Sequence, residues 1–469
     1  MKRTRIVSTL GPVSGEILIL EKMMEAGLDI ARLNFSHGTH EEHLKRITAV
    51  REAAVRTGKN IAVLMDTKGP KVRLGRLERP LQLNAGQYIV LAPEGCQPGK
   101  NCLPVSYVNL SRDVKPGNKI MLADGQIELK VISTGIDIVE CEVIHGGEIS
   151  GQKGVNLPEV KLDLPFVSDE DRADILFGIG HGVDFIALSF VRAEQDIVTV
   201  RKMLKKENSQ AQIIAKIESR EGLANLSGII RSSDGIMVAR GDLGIYLPVE
   251  EIPLVQKEIV KMCSEAGKPV IVATQMLETM IGNPRPTRAE VSDVANAILD
   301  GADAVMLSGE TAIGCYPVES VEMMKRIAER VENSLPHDEI LAQKSKGITH
   351  TVTDAISHAT VTTARDLGAA AIITSTQTGY TALMISKYRP KAPIIAVTPY
   401  KEVLRKMALL WGVQPLLIEP FQNTDQMINS SIKSSLDSGM VRSGDLVVIT
   451  AGIPPDRRGT TNFLKVHIV

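Results

Sequence analysis

The sequence predicts an α/β protein: a (β/α)8 TIM barrel with an inserted small β-barrel lid domain and a C-terminal α/β domain. Three observations predict it. Eight apolar runs of strand length alternate with helix-like stretches. From about Pro70 to Asp163 that alternation gives way to short β-like runs broken by turn residues. A polar, lysine-rich stretch at residues 336–347 then precedes a fresh α/β pattern.

The elements follow in order. RIVSTL (5–10) is the first strand and residues 15–26 the first helix. DIARLNF (29–35) is the second strand, followed by a helix over about residues 39–57, and IAVLMD (61–66) is the third strand. LNAGQYIVLAPEG, VKPGNKIMLADGQIELKVIS and IVECEVIHGGEIS then read as antiparallel β structure with turn signals between strands. After Pro165, VDFIALSF, QIIAKIE, DGIMVAR, PVIVATQM and DAVMLSG supply five more strands. Their continuous apolar character marks parallel strands covered on both faces, and eight β/α units close into a barrel. An open doubly wound sheet would share the runs, but no G-x-G-x-x-G follows any strand. PHDEILAQKSKG reads as a linker. Beyond it, a helix near residues 353–367 and the strands AAIITST, PIIAVTP and DLVVIT build the last unit. The division is barrel at 1–69 and 165–337, lid at 70–164, and C-terminal regulatory domain at 338–469.

Composition narrows the function classes. The 469 residues carry a formal net charge of −1 and only 3% aromatics. No global field attracts nucleic acid or an anionic membrane, and base-stacking surfaces are disfavoured. The five cysteines are odd in number and lack C-x-x-C spacing, which argues for a reducing cytoplasm. The basic start has too short an apolar stretch for a signal peptide, and no run approaches the ~18 apolar residues of a membrane helix.

Chemistry is expected where barrel strands end, at the C-terminal face. The strand ends here are unusually polar. The second offers Arg32, Asn34, Ser36 and His37, the third Asp66 and Thr67, and the fifth Lys216 and Glu218 on one face. The sixth runs into Arg240, Gly241 and Asp242, the seventh into Thr274 and Gln275, and the eighth into Ser308 and Glu310. Any one of these is unremarkable as a solvated strand terminus. Together they bring opposite charges to one mouth, where desolvation is costly unless something binds. Glu218 and Asp242 suit Mg²⁺ or Mn²⁺. Arg32, Arg73, Lys216 and Arg240 suit an oxyanion-rich substrate, phosphate above all. Basic groups with a divalent ion are the equipment of phosphoryl transfer, and a lid that excludes water suits a reaction threatened by hydrolysis. In the last domain Ser375, Thr376, Thr378, Gly379 and Thr381, with Arg457 and Arg458 of the final loop, read either as a cradle for a phosphorylated effector or as two solvent loops.

RLNFSHG, IIAKIESREGL, GIMVARGDLG and the long run from ATQMLETMIGNPRPTRAEVSDVANAILDGADAVMLSGETAIGCYP resemble the pyruvate kinase family, in order and over essentially the whole chain. The resemblance implies transfer of the phosphoryl group of phosphoenolpyruvate to ADP, giving pyruvate and ATP in the last step of glycolysis. It also implies a homotetramer with an allosteric sugar-phosphate or nucleotide effector. By resemblance, Lys216 meets the phosphoryl group and stabilises the enolate, while Glu218 and Asp242 hold the divalent ion. Gly241, Asp242 and Thr274 bind the substrate carboxylate. Arg32, Asn34, His37, Arg73 and Lys153 form the phosphate and nucleotide side, and Thr274 and Ser308 are linked to protonating the enolate. Asn34, Ser36, Asp66 and Thr67 form the corner that holds K⁺ in K⁺-requiring members. Here the family pattern departs, because Lys71 stands where those members typically carry glutamate. The resemblance therefore implies activity without K⁺, with Lys71 filling the corner. Two other readings stand beside it: a metal-dependent aldolase acting on a pyruvate enolate, which needs no ADP, and a non-catalytic metabolite sensor, which would be expected to have lost Lys216, Glu218 or Asp242.

Overall fold

The computed structural model describes residues 2–93, 101–347, 351–453 and 460–469. Eight parallel strands close into a barrel: Arg5–Thr9, Ile30–Asn34, Ala62–Asp66, Phe185–Leu188, Gln212–Ile217, Gly235–Ala239, Val270–Ala273 and Ala304–Leu307. Pairing of the first strand with the last, Arg5 opposite Ala304, completes the ring. The strands are continuous apolar runs because both faces are covered. One face sends Val7, Ile30, Leu64, Phe185, Ile214, Met237 and Ile271 into the barrel interior cluster. The other packs Ile6, Leu33, Val63, Ile186, Ile213 and Val305 against the helices. Each such buried apolar side chain contributes about 1.5–3 kcal/mol of transfer free energy.

Helix starts follow local chemistry. Thr39 and Glu42 form a reciprocal capping box at helix His40–Thr57, which ends at the left-handed Gly58. Thr287 and Glu290 do the same for helix Arg288–Asp300.

The inserted segment forms a seven-stranded sheet and a two-stranded ribbon. Leu74 bridges to Val105, joining the two ends of the large sheet into a small barrel. The expected antiparallel grammar holds with one exception, since Tyr88–Pro93 and Cys102–Val105 run parallel.

The C-terminal domain holds a five-stranded sheet. Two of its strands, Val413–Leu417 and Phe463–Ile468, were not expected. Both are edge strands; the first contains Pro415 and the second is largely solvent-facing, so neither shows a buried-strand pattern. The expected linker is also corrected: His337–Ser345 is a helix, anchored by buried Leu341 in the C-terminal core. Ala408 and Leu409 join the barrel's interior cluster. The C-terminal domain thus plugs one end of the barrel, and the end bearing the polar strand termini stays open.

Candidate active site

Asp66, the last residue of the third strand, is fully buried and saturated with donors. Arg32 Nε donates to its Oδ2 at 2.7 Å, and Lys216 Nζ donates to its Oδ1 at 2.9 Å. Arg32 also donates to Thr9 Oγ1 at 2.7 Å. Burial works against the Asp66 carboxylate, but Lys216 and Arg32 outweigh it and hold its pKa below the ordinary value. Lys216, from the fifth strand, also reaches Ser189 Oγ at 2.7 Å and Glu218 Oε1 at 3.0 Å. Burial opposes its charge, yet Asp66 and Glu218 raise its pKa, so the ammonium is firmly protonated.

Glu218 is fully buried, and its Oε2 accepts the Phe190 N–H at 2.6 Å. Its Oε1 lies near the Lys216 ammonium but has no hydrogen bond in good geometry. Asp242 lies in the first turn of the short helix Arg240–Tyr246, and its side chain is a quarter exposed. Burial raises the pKa of Glu218, with Lys216 pulling the other way. Burial also opposes Asp242, but Lys71 and Lys216 bring its pKa below the ordinary value. Two adjacent carboxylates are thus pushed in opposite directions by their surroundings. An under-satisfied buried Glu218 oxygen beside ionised Asp242 fits a hard divalent cation that takes its other ligands from substrate and water. Among the described residues no group of three or more acidic, His or Cys side chains that could hold a metal ion gathers anywhere, so Glu218 and Asp242 supply two protein carboxylates and no third.

The seventh strand ends in a strained turn, with Thr274 at φ 69° and Gln275 at φ 54°. Arg240 holds it: its guanidinium donates to Thr274 O at 2.7 Å and pairs with Asp293 at 2.7 Å. The expectation that Arg240 faces a phosphate is corrected, because its donors are spent on this loop. The Gly241 N–H donates to Thr274 Oγ1 at 2.8 Å, which brings the two expected carboxylate-binding groups together. Buried Glu310 ties the same loop to the eighth strand, accepting from Leu277 N at 3.1 Å and Ser308 N at 2.6 Å.

Between barrel and lid lies a cleft of about 990 Å³, lined by Ser36, His37, Lys68, Lys71, Arg73 and Arg76 among others. Burial, then Arg73, Arg32, Lys71 and Lys153, lowers the pKa of His37, which is therefore neutral at pH 7. Asn34 Oδ1 accepts the Ser36 N–H at 3.1 Å, and Thr67 Oγ1 accepts the Ser189 N–H at 3.2 Å. Lys71 is not bonded to this corner. Its Nζ sits 3.0 Å from Asp242 Oδ1 and 4.7 Å from the Phe190 ring centre. The expected filling of the corner by Lys71 is thus absent from this conformation: the corner's carboxylate, Asp66, is already paired with Arg32 and Lys216, whereas Asp242 and the Phe190 face hold the Lys71 ammonium. Gly69, at φ 70°, allows the turn leading to Lys71; a Cβ there would sit 2.8 Å from that of Ser189.

Sequence reasoning missed Ser189, Phe190 and Thr9. Thr9 and Ser189 belong to the first and fourth strand ends, the two not searched for polar termini, and the same rule applied there finds them.

In the C-terminal domain Ser375, Thr376 and Thr381 are buried. The Gly379 N–H donates to Thr376 Oγ1 at 3.0 Å, and Thr381 and Thr461 hydroxyls lie 3.0 Å apart. The segment 375–381 and the end of the last loop therefore adjoin. Thr378 Oγ1 accepts from Tyr380 N at 3.4 Å. Arg457 and Arg458 lie outside the described residues.

Residues 1–321 match a family model described as pyruvate kinase, barrel domain, and residues 354–467 match one described as pyruvate kinase, alpha/beta domain. The chain is 50% identical over 472 residues to a pyruvate kinase of Geobacillus stearothermophilus, covering all of this chain and 80% of that one. It is 45% identical to a pyruvate kinase of Clostridium acetobutylicum over the full length of both. The crystal structure of a pyruvate kinase from Cryptosporidium parvum superposes with a TM-score of 0.94 at 38% identity, covering 100% of this chain and 96% of that one.

Proposed function

Because the chain belongs to the pyruvate kinase family, a phosphotransferase that moves the phosphoryl group of phosphoenolpyruvate to ADP in glycolysis, we propose how its own residues divide that work. The observation that carries the reading is the placement of Lys216, buried between Asp66 and Glu218 and firmly protonated.

Glu218 and Asp242 are the residues that hold Mg²⁺ or Mn²⁺, and the bound ion supplies charge stabilisation to the phosphoryl and enolate oxygens. Gly241, Asp242 and Thr274 orient the substrate carboxylate, with Arg240 and Glu310 fixing the loop that carries Thr274 and adjoins Ser308. Arg32 and Lys216 face the phosphoryl group. An oxygen of the ADP β-phosphate bonds to phosphorus as the enol C–O–P bond breaks at phosphorus. The electron pair stays on the enol oxygen, where the Lys216 ammonium balances it. C3 then takes a proton, delivered through water ordered by Thr274 and Ser308. His37 and Arg73, which line the cleft under the lid, take the nucleotide phosphates together with Asn34 and Lys153. Asp66 holds Arg32 and Lys216 in register without touching substrate.

Three finer features belong to the same reading. Lys71 supplies the monovalent charge that K⁺ provides elsewhere in the family, so turnover needs no K⁺. Ser375, Thr376, Thr378, Gly379 and Thr381, with Arg457 and Arg458, bind a sugar phosphate or a nucleotide monophosphate that modulates the enzyme. The enzyme works in the cytoplasm as a homotetramer. Among the described residues no helix is long and apolar enough to cross a membrane.

The test is ADP-dependent pyruvate release with Mg²⁺, in Na⁺- and K⁺-free buffer and again with K⁺ added at constant ionic strength. Equal rates are expected; a many-fold rise with K⁺ overturns the role given to Lys71. Substrate saturation curves with and without sugar phosphates or AMP test the effector site, where no shift with any of them retires it.

A further inference from the structure

We infer that Lys71 is an internal competitor of the divalent ion: in the metal-free enzyme it occupies Asp242, and metal binding must eject it. The inference rests on the reading of Glu218 and Asp242 as the metal ligands.

Each of those carboxylates already has an ammonium of its own. Lys216 lies 3.0 Å from Glu218 Oε1, and Lys71 lies 3.0 Å from Asp242 Oδ1. Asp66, Glu218 and Asp242 are balanced by Arg32, Lys216 and Lys71, so the metal-free cluster is neutral by internal pairing. A divalent cation placed among them meets two ammonium groups at short range, and at least one must leave.

The two are not equally free to go. The Lys216 side chain is 9% exposed and holds Asp66 and Ser189 as well as Glu218. Removing it strands a buried carboxylate, which is costly. The Lys71 side chain is 27% exposed, makes one bond to a carboxylate and rests on the Phe190 ring. It also lines the cleft shared with Ser36 and His37, so an exit path is open. Phe190 links the two halves: its ring lies under Lys71 and its N–H, at φ 54°, holds Glu218 Oε2 at 2.6 Å. The metal therefore binds more weakly than the carboxylate pair alone would allow. Its arrival delivers a cation to the side of the cleft where nucleotide phosphates dock.

The experiment is Mn²⁺ titration of the full chain without substrate or nucleotide, read as the electron paramagnetic resonance signal of free Mn²⁺ at fixed ionic strength. Lys71→Met and Lys71→Gln should bind Mn²⁺ about tenfold tighter, the order expected for losing one charge-assisted bond. Lys71→Arg, which keeps a cation able to grip Asp242, should bind no tighter than the parent. Lys68→Met removes a cation lining the same cleft but paired with Glu170; it should change affinity by less than about twofold. Unchanged affinity in both neutral Lys71 variants overturns the inference, as does an equal gain in Lys68→Met. Asp242→Asn separates the two layers: if Mn²⁺ binds as well without that carboxylate, the metal-ligand reading itself has failed. A direct measure uses the unaltered protein, following acylation of individual lysines by peptide mass spectrometry. Mn²⁺ should speed modification of Lys71 and leave Lys216 protected; no acceleration at Lys71 contradicts ejection.

Discussion

Asp66 shows how one residue sets a site. Its carboxylate holds Arg32 and Lys216 in a buried cluster, and its pKa is depressed because both cations favour the ionised form. A depressed carboxylate stabilises the fold above the unfolded-state pKa, and that stability is lost as pH falls through the lower native value. Asp66→Asn leaves two buried cations short of a counter-charge. It should cost about 3–5 kcal/mol, measured by denaturant unfolding at pH 7, and the deficit should shrink on acidification as the parent's Asp66 protonates. At this scale the sequence was legible wherever a strand ended in a charge. It was less so for partner choice: Lys71 and Arg240 were recognised as cations, but their acceptors, Asp242 and the Thr274 loop, come from other strands.

Single elements explain two further outcomes. The turn after the seventh strand carries Thr274 and Gln275 in left-handed backbone, held by Arg240. Arg240→Lys keeps the charge but loses the planar fork that reaches both backbone and Asp293. It should raise KM for phosphoenolpyruvate several-fold and lower Tm by a few degrees, whereas no change in either contradicts a clamping role. Helix His337–Ser345 carries Lys344, which donates to Ser264 Oγ. Burial, then Arg389, lowers its pKa to about 7. Between roughly pH 7 and 10 the unfolded chain binds more protons here than the native one, so stability rises with pH across that window. Lys344→Met should therefore raise Tm at pH 6–7 and lose the advantage near pH 10; a constant offset across that range contradicts the depressed pKa. Elements read well where both faces are buried, since all eight barrel strands fall within the apolar runs. They read poorly at edges and junctions. The helix at 337–345 has few apolar residues because it bridges two domains, and Val413–Leu417 hides behind Pro415.

At the scale of the whole molecule, the barrel mouth is open to the lid while the opposite end is sealed by the C-terminal domain. The seal is also polar. The guanidinium groups of Arg3 and Arg389 lie 5.2 Å and 4.7 Å from the ring centre of Trp411, the single tryptophan, and Arg389 pairs with Asp303 at 2.9 Å. Arg405 reaches Asp184, which also accepts Val63 N of the third strand. Arg389→Met should red-shift Trp411 emission and lower Tm with little effect on KM for phosphoenolpyruvate; unshifted emission contradicts the packing. Domain order was visible in the sequence because each unit has its own hydrophobic grammar. The way barrel and C-terminal domain dock was not, because it rests on backbone carbonyls and scattered arginines that form no periodic pattern.

The account centres on Lys216 as the cation at the point where enolate charge develops. The direct measurement is steady-state ADP-dependent pyruvate release by Lys216→Met with Mg²⁺, set beside its phosphoenolpyruvate affinity by calorimetry. The predicted result is a fall in turnover of about 10²–10³-fold or more with substrate affinity changed only a few-fold. Turnover near that of the parent protein would contradict it.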